Sequence, residues 1–425
     1  MDKNVLTAAI DFSEDYSQIC YFDGLMKEPE SMGVMHSDKH FLIPSVLWFD
    51  DSGRRCCYGQ EAEKCSKTGK GTTVRNFIKL FDNDEKVDVS GKEYEAKEII
   101  ERYFTLIFRA IRENKERAVP AYIAVTVDKM NSAFAELLYD ILEKCGYGRN
   151  KATVISHSES FLYYALSREK ELLMNDVAMF DFNSRHFYYK KFGILRNRKP
   201  QLIDTVERDF SDDITYDMLK EKEGKEKADE LFFNFLQAEF KNHVVSAVYL
   251  TGAGFYEEWM AKSLDFICTR RRVFKGYNLY VKGACYAAME KAGQIEYKDM
   301  IFKCSGRTIL DVKLVVDNHG RQENIELSKA GSNWYEAGAK ADCITDGDEN
   351  VEFIIESPVS GIQKKCFIDI SDFPDRPPKT TRIGITTGYI NENQLCISVE
   401  DKGFGDFYQS SGLVKRQVID VSEYL

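Results

Sequence analysis

The residues best suited to chemistry lie in a short turn within Ala8–Phe22, which reads AAIDFSEDYSQICYF and predicts two strands around a tight turn. Turns of this kind hold phosphates when they carry Gly, Ser or Thr, because bare backbone N–H groups then converge on the anion. Here Asp11 is followed by Ser13 and by two carboxylates, Glu14 and Asp15. The acidic set of Asp11, Glu14 and Asp15 could bind a cation without nucleotide, but a solvated or Lys-paired turn is the simpler interpretation.

A second segment of the same kind begins at Asp176, where DVAMFDF predicts a buried strand and HFYYKKFG its return strand. Asp181 comes near the end of the first of these strands, as the aspartate does in the earlier segment. The turn reads Asn183, Ser184 and Arg185 and has no glycine. Side chains at these positions are expected to block a close approach of the backbone to a phosphate.

Four further patterns carry weaker signals. AVYLTGAG is a buried strand ending on Gly252 and Gly254, which could hold a nucleotide or simply allow a tight turn. KTGKGTT lacks the spacing of a phosphate loop, so we expect a flexible loop. DGDENVEF begins like a calcium loop, but Val351 replaces the required glycine, which favours a surface turn. In Ser-His-Ser around His157 the side chains are chain neighbours, so we expect a local hydrogen bond rather than catalysis.

Strand-type and helix-type segments position these residues and alternate up to about residue 297, which predicts an α/β unit seen twice. Residues 299–425 instead carry short β-type segments separated by Gly, Asn, Asp and Pro, and predict a separate all-β domain. The predictions before residue 297 are hairpins over residues 4–22 and 42–59, strands over Tyr122–Val127, Ala152–Ser156, Asp176–Phe182 and residues 247–254, and helices over Ala96–Asn114, Ser132–Lys144 and residues 161–173, 214–242 and 283–293.

The composition bounds the class of protein. Of 425 residues, 44% are hydrophobic and 30% charged, which is typical of a globular chain of two or three domains. The net charge of -11 argues against general nucleic-acid binding. The N-terminus lacks a basic segment followed by an apolar stretch, so we expect no secretory leader, and no apolar run approaches the roughly 18 residues of a membrane span. Eleven cysteines without a CxxC pair suit idle thiols better than a disulfide framework or zinc site. We therefore expect a cytoplasmic protein without membrane or nucleic-acid partners.

Taken in order, these segments resemble the DnaK-type heat-shock chaperones of the actin-like ATPase superfamily. The resemblance covers most of the chain and reaches into the β domain, where CFIDISDFPDRPPKTTRIGITTGYINENQLCISVEDKGFGDF is similar to the end of the family's peptide-binding β-sandwich. The other matching segments are AIDFSEDYSQICYF and MFDFNSRHFYY at the two phosphate hairpins, IPSVLWFDDSGRRCCYGQEA at the Pro-Ser strand, TTVRNFIKLF after it, ISHSESFLYYAL at the Asn-Glu-Pro-Thr helix start, VYLTGAGF at the adenosine motif and KGACYAAM at the closing helix.

The resemblance implies an α/β actin-like, ribonuclease-H-like two-lobed domain over residues 1–297, followed by an all-β sandwich over residues 298–425 that resembles the DnaK substrate-binding β domain. The lobes are expected at about residues 1–175 and 176–297. The second lobe should be reduced, because only about seventy residues separate Asp181 from Gly252. No interdomain linker is recognisable, and no helical lid is expected.

The departures from the family pattern bear on activity. Working members wrap the phosphates in two Gly-rich turns, and an aspartate in each orders the metal and its waters. Asp11 and Asp181 match those aspartates, but Glu14 and Asp15 stand where the family uses hydroxyls. A carboxylate about 4 Å from a phosphate costs about 1 kcal/mol at the dielectric of water and about 4 at an effective dielectric near 20.

Three functional positions of the family are also replaced. Its phosphate-contacting lysine aligns with Ile78, beside Lys79 as a one-residue substitute; its catalytic glutamate aligns with His157; and a second metal-site aspartate aligns with Tyr188. The resemblance thus implies a vestigial nucleotide site without catalytic residues. Its members are Asp11, Ser13, Lys79, Asp181, Gly252 and Gly254.

The leading hypothesis is a pseudo-ATPase: a non-catalytic, chaperone-like protein that needs no cofactor or metal. Its partner would be a protein or extended peptide held by the β domain, either at a sheet edge or on a docking surface. The alternative is an ATP-binding chaperone of DnaK type with weak ATP hydrolysis, which would need Asp11, Asp181, Lys79 and Gly252 to assemble around Mg-ATP. A third and weaker alternative is a small-molecule kinase of the superfamily.

Overall fold

The computed structural model describes residues 5–33, 41–113, 118–297 and 299–425. The chain divides into two compact units: the first comprises Met1–Gly193 and Val206–Lys298, and the second Ile194–Thr205 and Asp299–Leu425. The first unit mixes helices with several sheets, and the second is rich in β-strands. In the described part of the chain, no helix has the length and apolar character needed to cross a membrane.

The strands are, in chain order, β1 (Thr7–Phe12), β2 (Tyr16–Phe22), β3 (Glu30–Ser31), β4 (Ile43–Pro44), β5 (Leu47–Asp50), β6 (Cys56–Tyr58), β7 (Gly71–Val74), β8 (Lys86–Val89), β9 (Lys92–Glu95), β10 (Tyr122–Val127), β11 (Ala152–Ser156), β12 (Asp176–Phe182), β13 (Phe187–Leu195), β14 (Gln201–Asp209), β15 (Val245–Thr251), β16 (Arg272–Lys275), β17 (Met300–Lys303), β18 (Asp311–Asn318), β19 (Arg321–Ser328), β20 (Lys340–Thr345), β21 (Asn350–Glu356), β22 (Gln363–Asp369), β23 (Thr381–Asn391), β24 (Gln394–Gly403) and β25 (Val414–Asp420). The α-helices are α1 (Gly59–Thr68), α2 (Phe77–Asp82), α3 (Ala96–Glu113), α4 (Ser132–Lys144), α5 (His157–Leu166), α6 (Lys222–Lys241), α7 (Ala261–Cys268) and α8 (Leu279–Lys291). Short 3-10 helices cover Lys170–Leu173, Tyr216–Lys220, Ala253–Tyr256 and Val421–Tyr424.

The first sheet of the first unit is centred on β1. Its strand order is β11-β10-β1-β2-β3, and β4 also pairs with β2. β1 runs parallel to β10 and antiparallel to β2, so that Asp11 lies between Thr126 and Gln18 in register. The strand is buried on both faces, as expected where helices cover a sheet.

The second sheet repeats this arrangement around β12. Within the first unit its order is β16-β15-β12-β13. β12 runs antiparallel to β13 and parallel to β15, so that Asp181 lies between Tyr188 and Thr251 in register. Each aspartate therefore has a parallel threonine neighbour on one side and the return strand of its own hairpin on the other. This repetition places the two hairpin turns at equivalent ends of the two sheets.

Aromatic side chains fill the core beside each hairpin. Phe12 of β1 packs edge-on against Phe104 of α3, with ring centroids 5.0 Å apart. Phe182 of β12 packs against Phe187 at 4.8 Å and against Trp259 at 5.7 Å. These rings are buried. Each aromatic pair in such geometry stabilises the fold by about 0.5–1.5 kcal/mol beyond the contribution of the buried apolar area.

Hydrophobic patterning located most of the elements. The predicted bounds of β10, β11, β12 and α4 are confirmed, and the hairpins are present as β1–β2 and β5–β6. α3 follows its predicted range from Ala96 to Glu113; Asn114 and residue 4 lie outside the described residues. β14 was not predicted.

Three helix predictions were wrong in extent, and one of them is the helix expected over residues 283–293, which is α8 (Leu279–Lys291). The helix expected over residues 161–173 begins at His157, because Ser156 and Glu159 form a capping box. It ends at Leu166, and a separate 3-10 turn follows. The helix expected over residues 214–242 is divided into a 3-10 turn and α6.

The second unit contains two four-stranded sheets, ordered β19-β18-β21-β22 and β20-β23-β24-β25, and the strands within each are antiparallel. Alternate residues of β21 and β24 are buried. Side chains from both sheets, including Phe353 and Ile397, belong to one hydrophobic core. In the same unit, β14 runs parallel to β17 from Gln201 to Asp204.

A buried ion pair stabilises the loop before β25. Asp401 has no solvent exposure and accepts two hydrogen bonds from the Arg376 guanidinium, at 2.7 and 2.8 Å. The same carboxylate accepts the backbone N–H and hydroxyl of Ser411, at 2.8 and 2.6 Å. The guanidinium is the main cause of a strongly lowered pKa at Asp401.

Candidate functional site

The two strand-end aspartates are both buried, and each is hydrogen-bonded to a histidine. Asp11 Oδ1 lies 2.9 Å from His157 Nε2 and accepts the Ser13 hydroxyl at 3.1 Å. The expectation of a local hydrogen bond for His157 was wrong, because its partner lies 146 positions earlier. His157 lies at the first position of α5 and is placed there by the Ser156 cap.

Asp181 has its own histidine and a tyrosine. Its Oδ2 accepts the hydroxyl of Tyr280 at 2.8 Å and lies 3.2 Å from His186 Nε2. Burial raises the pKa of Asp181, but the hydrogen bonds and charge of His186 outweigh this effect, so the pKa lies below its ordinary value. Burial likewise lowers the pKa of His186, and Asp181 raises it above the ordinary value. The carboxylate and imidazolium thus stabilise each other's charged form.

Ring stacking connects the two aspartate–histidine pairs. The His157 ring lies on the Tyr280 ring with centroids 3.9 Å apart and planes 9° apart. The result is one continuous path, from Asp11 through His157 and Tyr280 to Asp181. Beyond Asp181, the His186 ring stacks on the Tyr188 ring, with centroids 4.0 Å apart. The two strand ends are therefore connected by side chains of the protein itself.

Glu14 binds the backbone of α2. Its Oε1 accepts the N–H of Lys79 at 2.7 Å, and its Oε2 accepts the N–H of Ile78 at 3.4 Å. The first N–H groups of a helix have no partner within the helix, so this carboxylate satisfies them. Burial raises the pKa of Glu14, partly offset by the bond from Lys79.

Asp15 pairs with the turn of the second hairpin. Its Oδ1 accepts Nε and Nη2 of Arg185, at 2.9 and 2.7 Å. Arg185 Nη2 also donates to Asn76 Oδ1 at 2.8 Å, and the Ser184 hydroxyl donates to Asp15 Oδ2 at 3.4 Å. The two turns, at equivalent positions in the two sheets, are thus joined directly. The hydrogen bond with Asp15 raises the pKa of Arg185. We call this pair, with the Glu14 contacts, the turn latch.

Two further hydrogen bonds connect each hairpin with a helix or the segment before one, and the first involves a buried lysine. Lys190 of β13 donates to the Ser158 hydroxyl of α5 at 2.6 Å and lies 3.3 Å from Glu207. Gln18 of β2 donates to the carbonyl of Tyr277 at 2.8 Å, just before α8. Lys190 follows Arg185 of the turn latch by five positions in the chain, and Gln18 follows Asp15 by three.

The remaining predicted site residues serve local structure. The Ser13 hydroxyl is directed to Asp11, and the Ser13 carbonyl accepts the Ser45 hydroxyl at 2.6 Å. Lys79 offers its backbone N–H to Glu14, while its side chain is exposed. The three acidic residues proposed as a cation site have different partners: a histidine for Asp11, the α2 backbone for Glu14 and an arginine for Asp15.

The two glycines after β15 are required for packing. Gly252 has φ of +92°, and a Cβ there would lie 2.2 Å from the Phe182 carbonyl oxygen. A Cβ at Gly254 would lie 2.4 Å from the Phe182 ring. The close approach of this turn to β12 accounts for both residues.

We expected the KTGKGTT segment to be a flexible loop, and this was wrong. The segment covers the end of α1 and the start of β7. A Cβ at Gly71 would lie 2.1 Å from the Phe49 carbonyl oxygen and 2.8 Å from the Trp48 ring. The glycine is explained by this close packing. DGDENVEF forms a turn at Gly347, with φ of +92°, that leads into β21.

Sequence reasoning missed two residues that complete the site. Tyr280 lies at the start of α8, 99 positions from Asp181, and nothing in its surroundings indicates this contact. His186 directly follows the second turn, where a histidine five residues after a strand-end aspartate was a usable signal. The carboxylates of the first turn bind the first N–H groups of α2 and the arginine of the second turn.

Comparison with known families gives two matches that follow one another along the chain. Residues 28–305 match a family model described as a family of unknown function (DUF5716), C-terminal. Residues 307–421 match a domain of unknown function (DUF8552). No curated protein matches the chain.

Proposed function

Starting from the fact that the chain belongs to the DUF5716 C-terminal family, we propose that it is a non-catalytic, chaperone-like interaction protein of DnaK type with a degenerate nucleotide site. The proposed architecture is a reduced actin-like two-lobed domain followed by a DnaK-like β-sandwich. The observation that carries the proposal is the turn latch. Glu14 and Asp15 bind groups of the protein that could otherwise contact a phosphate.

The charge of the first turn supports the loss of nucleotide binding. A triphosphate near the first turn would meet Glu14 and Asp15 as well as the buried Asp11. Each such pair costs about 4 kcal/mol at 4 Å and an effective dielectric near 20. Arg185 could offset one of these charges only by leaving Asp15 uncompensated. A single magnesium ion does not balance several like charges at once.

The repeated hairpin supports the actin-like part of the proposal. Asp11 and Asp181 have the same kind of neighbours in their sheets: a parallel threonine and an antiparallel return strand. Such a repeat supports two lobes with the same strand topology around the aspartate. Fold alone does not determine function, so the functional conclusion depends on the side chains of the turns.

The second unit supplies the proposed interaction surface. Its two antiparallel sheets leave four edge strands, of which β25 carries the exposed side chains Val414 and Val418. An extended peptide could add to such an edge through main-chain hydrogen bonds. We propose a protein or extended peptide as the partner, without nucleic acid or membrane, in the cytoplasm.

Calorimetric titration tests the proposal directly. The purified protein would be titrated with ATP and ADP, each with and without magnesium, and its melting temperature measured at millimolar nucleotide. We expect neither binding heat nor a thermal shift. Micromolar, magnesium-dependent binding would overturn the proposal.

That result would favour the alternative, an ATP-binding chaperone with weak ATP hydrolysis. The observation in its favour is that both strand-end aspartates, Asp11 and Asp181, remain buried at the ends of β1 and β12. It requires the His157–Tyr280 stack to separate. Substitution of Asp11 by Asn would then abolish nucleotide binding, whereas a control substitution at an exposed acid, Glu258→Gln, would leave it unchanged.

A further inference from the structure

We propose that Cys57, Glu61 and Cys65 form a binding site for one zinc-type divalent cation between β6 and α1. The site lies outside the aspartate–histidine path and is independent of the proposed function. Within the described residues, this is the one group of three His, Cys, Asp or Glu side chains whose ligand atoms come together. The two Sγ atoms and a Glu61 carboxylate oxygen all lie within 4.8 Å of one another.

Secondary structure explains why these side chains converge. Glu61 and Cys65 are four residues apart on α1, so they lie on the same face of the helix. Cys57 is the middle residue of β6, one residue before the N-cap Tyr58, and pairs in register with Trp48 of β5. Strand pairing and helix geometry thus fix the three ligands independently of any metal.

The separation of the ligand atoms suits a small tetrahedral cation. A zinc ion with Zn–S bonds of about 2.3 Å places its ligand atoms about 3.8 Å apart. Side-chain adjustments of about 1 Å would bring atoms within 4.8 Å to that separation. Two thiolates with one carboxylate select a zinc-type ion over calcium or magnesium, which prefer oxygen ligands.

Charge and exposure support the same assignment. Two thiolates and a carboxylate carry three negative charges, of which a divalent ion balances two. Arg55 Nη2 lies 2.9 Å from Glu61 Oε1 and supplies the remaining positive charge. Such outer partners orient metal ligands and tune affinity. Binding transfers one proton from each thiol to solvent, so two protons are released for each ion bound.

The fourth coordination position would face solvent. Cys57 is 5% exposed, Cys65 is half-buried and Glu61 is exposed. A water molecule can therefore complete the tetrahedron. The sequence does not reveal the site by CxxC spacing, because Cys57, Glu61 and Cys65 follow one another at intervals of four positions and the first lies on a strand, the other two on a helix.

Metal titration of the reduced, full-length protein tests the site. Zn²⁺ would be titrated in competition with a chromophoric chelator, and Co²⁺ would be added separately to detect sulfur-to-cobalt charge-transfer absorption. We expect one tight equivalent, lost in both Cys57→Ser and Cys65→Ser. Arg55→Met is expected to bind about 10–100-fold more weakly. The matched control is Cys268→Ser, an exposed cysteine on α7, which should bind as the wild type does.

A second measurement separates loss of binding from loss of folding. In the wild-type protein, Zn²⁺ should protect Cys57 and Cys65, but not Cys268, from alkylation, as read by peptide mass. The proposal is overturned if the wild type shows no stoichiometric binding. It is equally overturned if the charge-transfer band survives in a folded Cys57→Ser variant, or if alkylation of Cys57 and Cys65 is the same with and without zinc.

Discussion

Asp15 Oδ1 lies 2.7 Å from Arg185 Nη2, although the two residues are 170 positions apart in the sequence. This contact joins the turns of two hairpins that occupy equivalent places in their sheets. Both carboxylates of the first turn thus bind donors of the protein itself: Asp15 binds Arg185, and Glu14 binds the first N–H groups of α2.

The Asp15–Arg185 pair should contribute modestly to stability. Both side chains are more than one-third exposed, so solvent screening limits the interaction. A double-mutant cycle with Asp15→Asn and Arg185→Met, measured by urea denaturation, is expected to give a coupling energy of about 0.2–1 kcal/mol that falls with added salt. A coupling that is zero at low salt would contradict the contact.

Glu14 should act as a cap for α2. Replacement by alanine removes the acceptor of the Lys79 and Ile78 N–H groups and is expected to cost about 0.5–2 kcal/mol of unfolding free energy. Glu258→Ala, at an exposed acid without this role, is the matched control and should change stability by less than about 0.5 kcal/mol. Equal effects of the two substitutions would count against the cap.

The Asp181–His186 pair should make stability depend on pH in two directions. The raised pKa of His186 gives stabilisation that is complete below its unfolded value near 6.5 and is lost as the pH rises through the folded value. The lowered pKa of Asp181 gives stabilisation that is present above its unfolded value near 3.9 and is lost as the pH falls through the folded value.

The stabilising effect of this pair should therefore be greatest between about pH 4 and 6.5. His186→Asn is expected to reduce the unfolding free energy most within that interval, with a difference that shrinks at higher pH. NMR titration of the histidine ring protons measures the His186 pKa directly, with His319→Asn as a control for assignment and stability. A His186 pKa below 6.5 in the folded protein would be the contrary result.

Gly252 should be intolerant of a side chain for reasons of packing. Gly252→Ala brings a Cβ to within 2.2 Å of a backbone oxygen at an unfavourable φ, so we expect a loss of about 1–3 kcal/mol. Gly388→Ala, where no atom lies within 4 Å of the added Cβ, is the matched control and should be nearly neutral. Thermal denaturation without nucleotide distinguishes them, and a neutral Gly252→Ala would refute the packing explanation.

The Asp401–Arg376 pair should dominate the stability of the second unit's loop. Asp401→Asn leaves the buried guanidinium uncompensated and is expected to cost about 3–5 kcal/mol. Lys415→Met, which removes the half-buried partner of the exposed Asp372, is the control and should cost less than about 1 kcal/mol. Hydrogen exchange of β24 amides reports the loss locally; unchanged exchange in Asp401→Asn would contradict this assignment.

Periodicity was sufficient for regular elements and insufficient for contacts between them. The nearly continuous apolar run of residues 122–127 and the helical apolar spacing of Ser132–Lys144 gave the bounds of β10 and α4, because burial of both faces or of one face determines each pattern. The start of α5 was missed, although the Ser156–Glu159 capping box was readable in the sequence.

The candidate site shows where such reasoning ends. Asp11 and Asp181 could be singled out as strand-end acids, but their histidine and tyrosine partners come from distant segments. No local pattern specifies that the His157 ring lies on Tyr280. Likewise, Cys57 and Cys65 are brought together by a strand end and a helix face, which cysteine spacing of the CxxC type does not describe.

The turn latch also has a consequence for how a partner would be exchanged. A chaperone that hydrolyses ATP can bind and release its partner in a fixed order, because the irreversible hydrolysis step separates binding from release. If Glu14 and Asp15 hold the turns with no nucleotide to cleave, opening and closing are driven by thermal motion alone. The fraction of the protein with a bound partner would then depend reversibly on the partner concentration and on the dissociation constant alone.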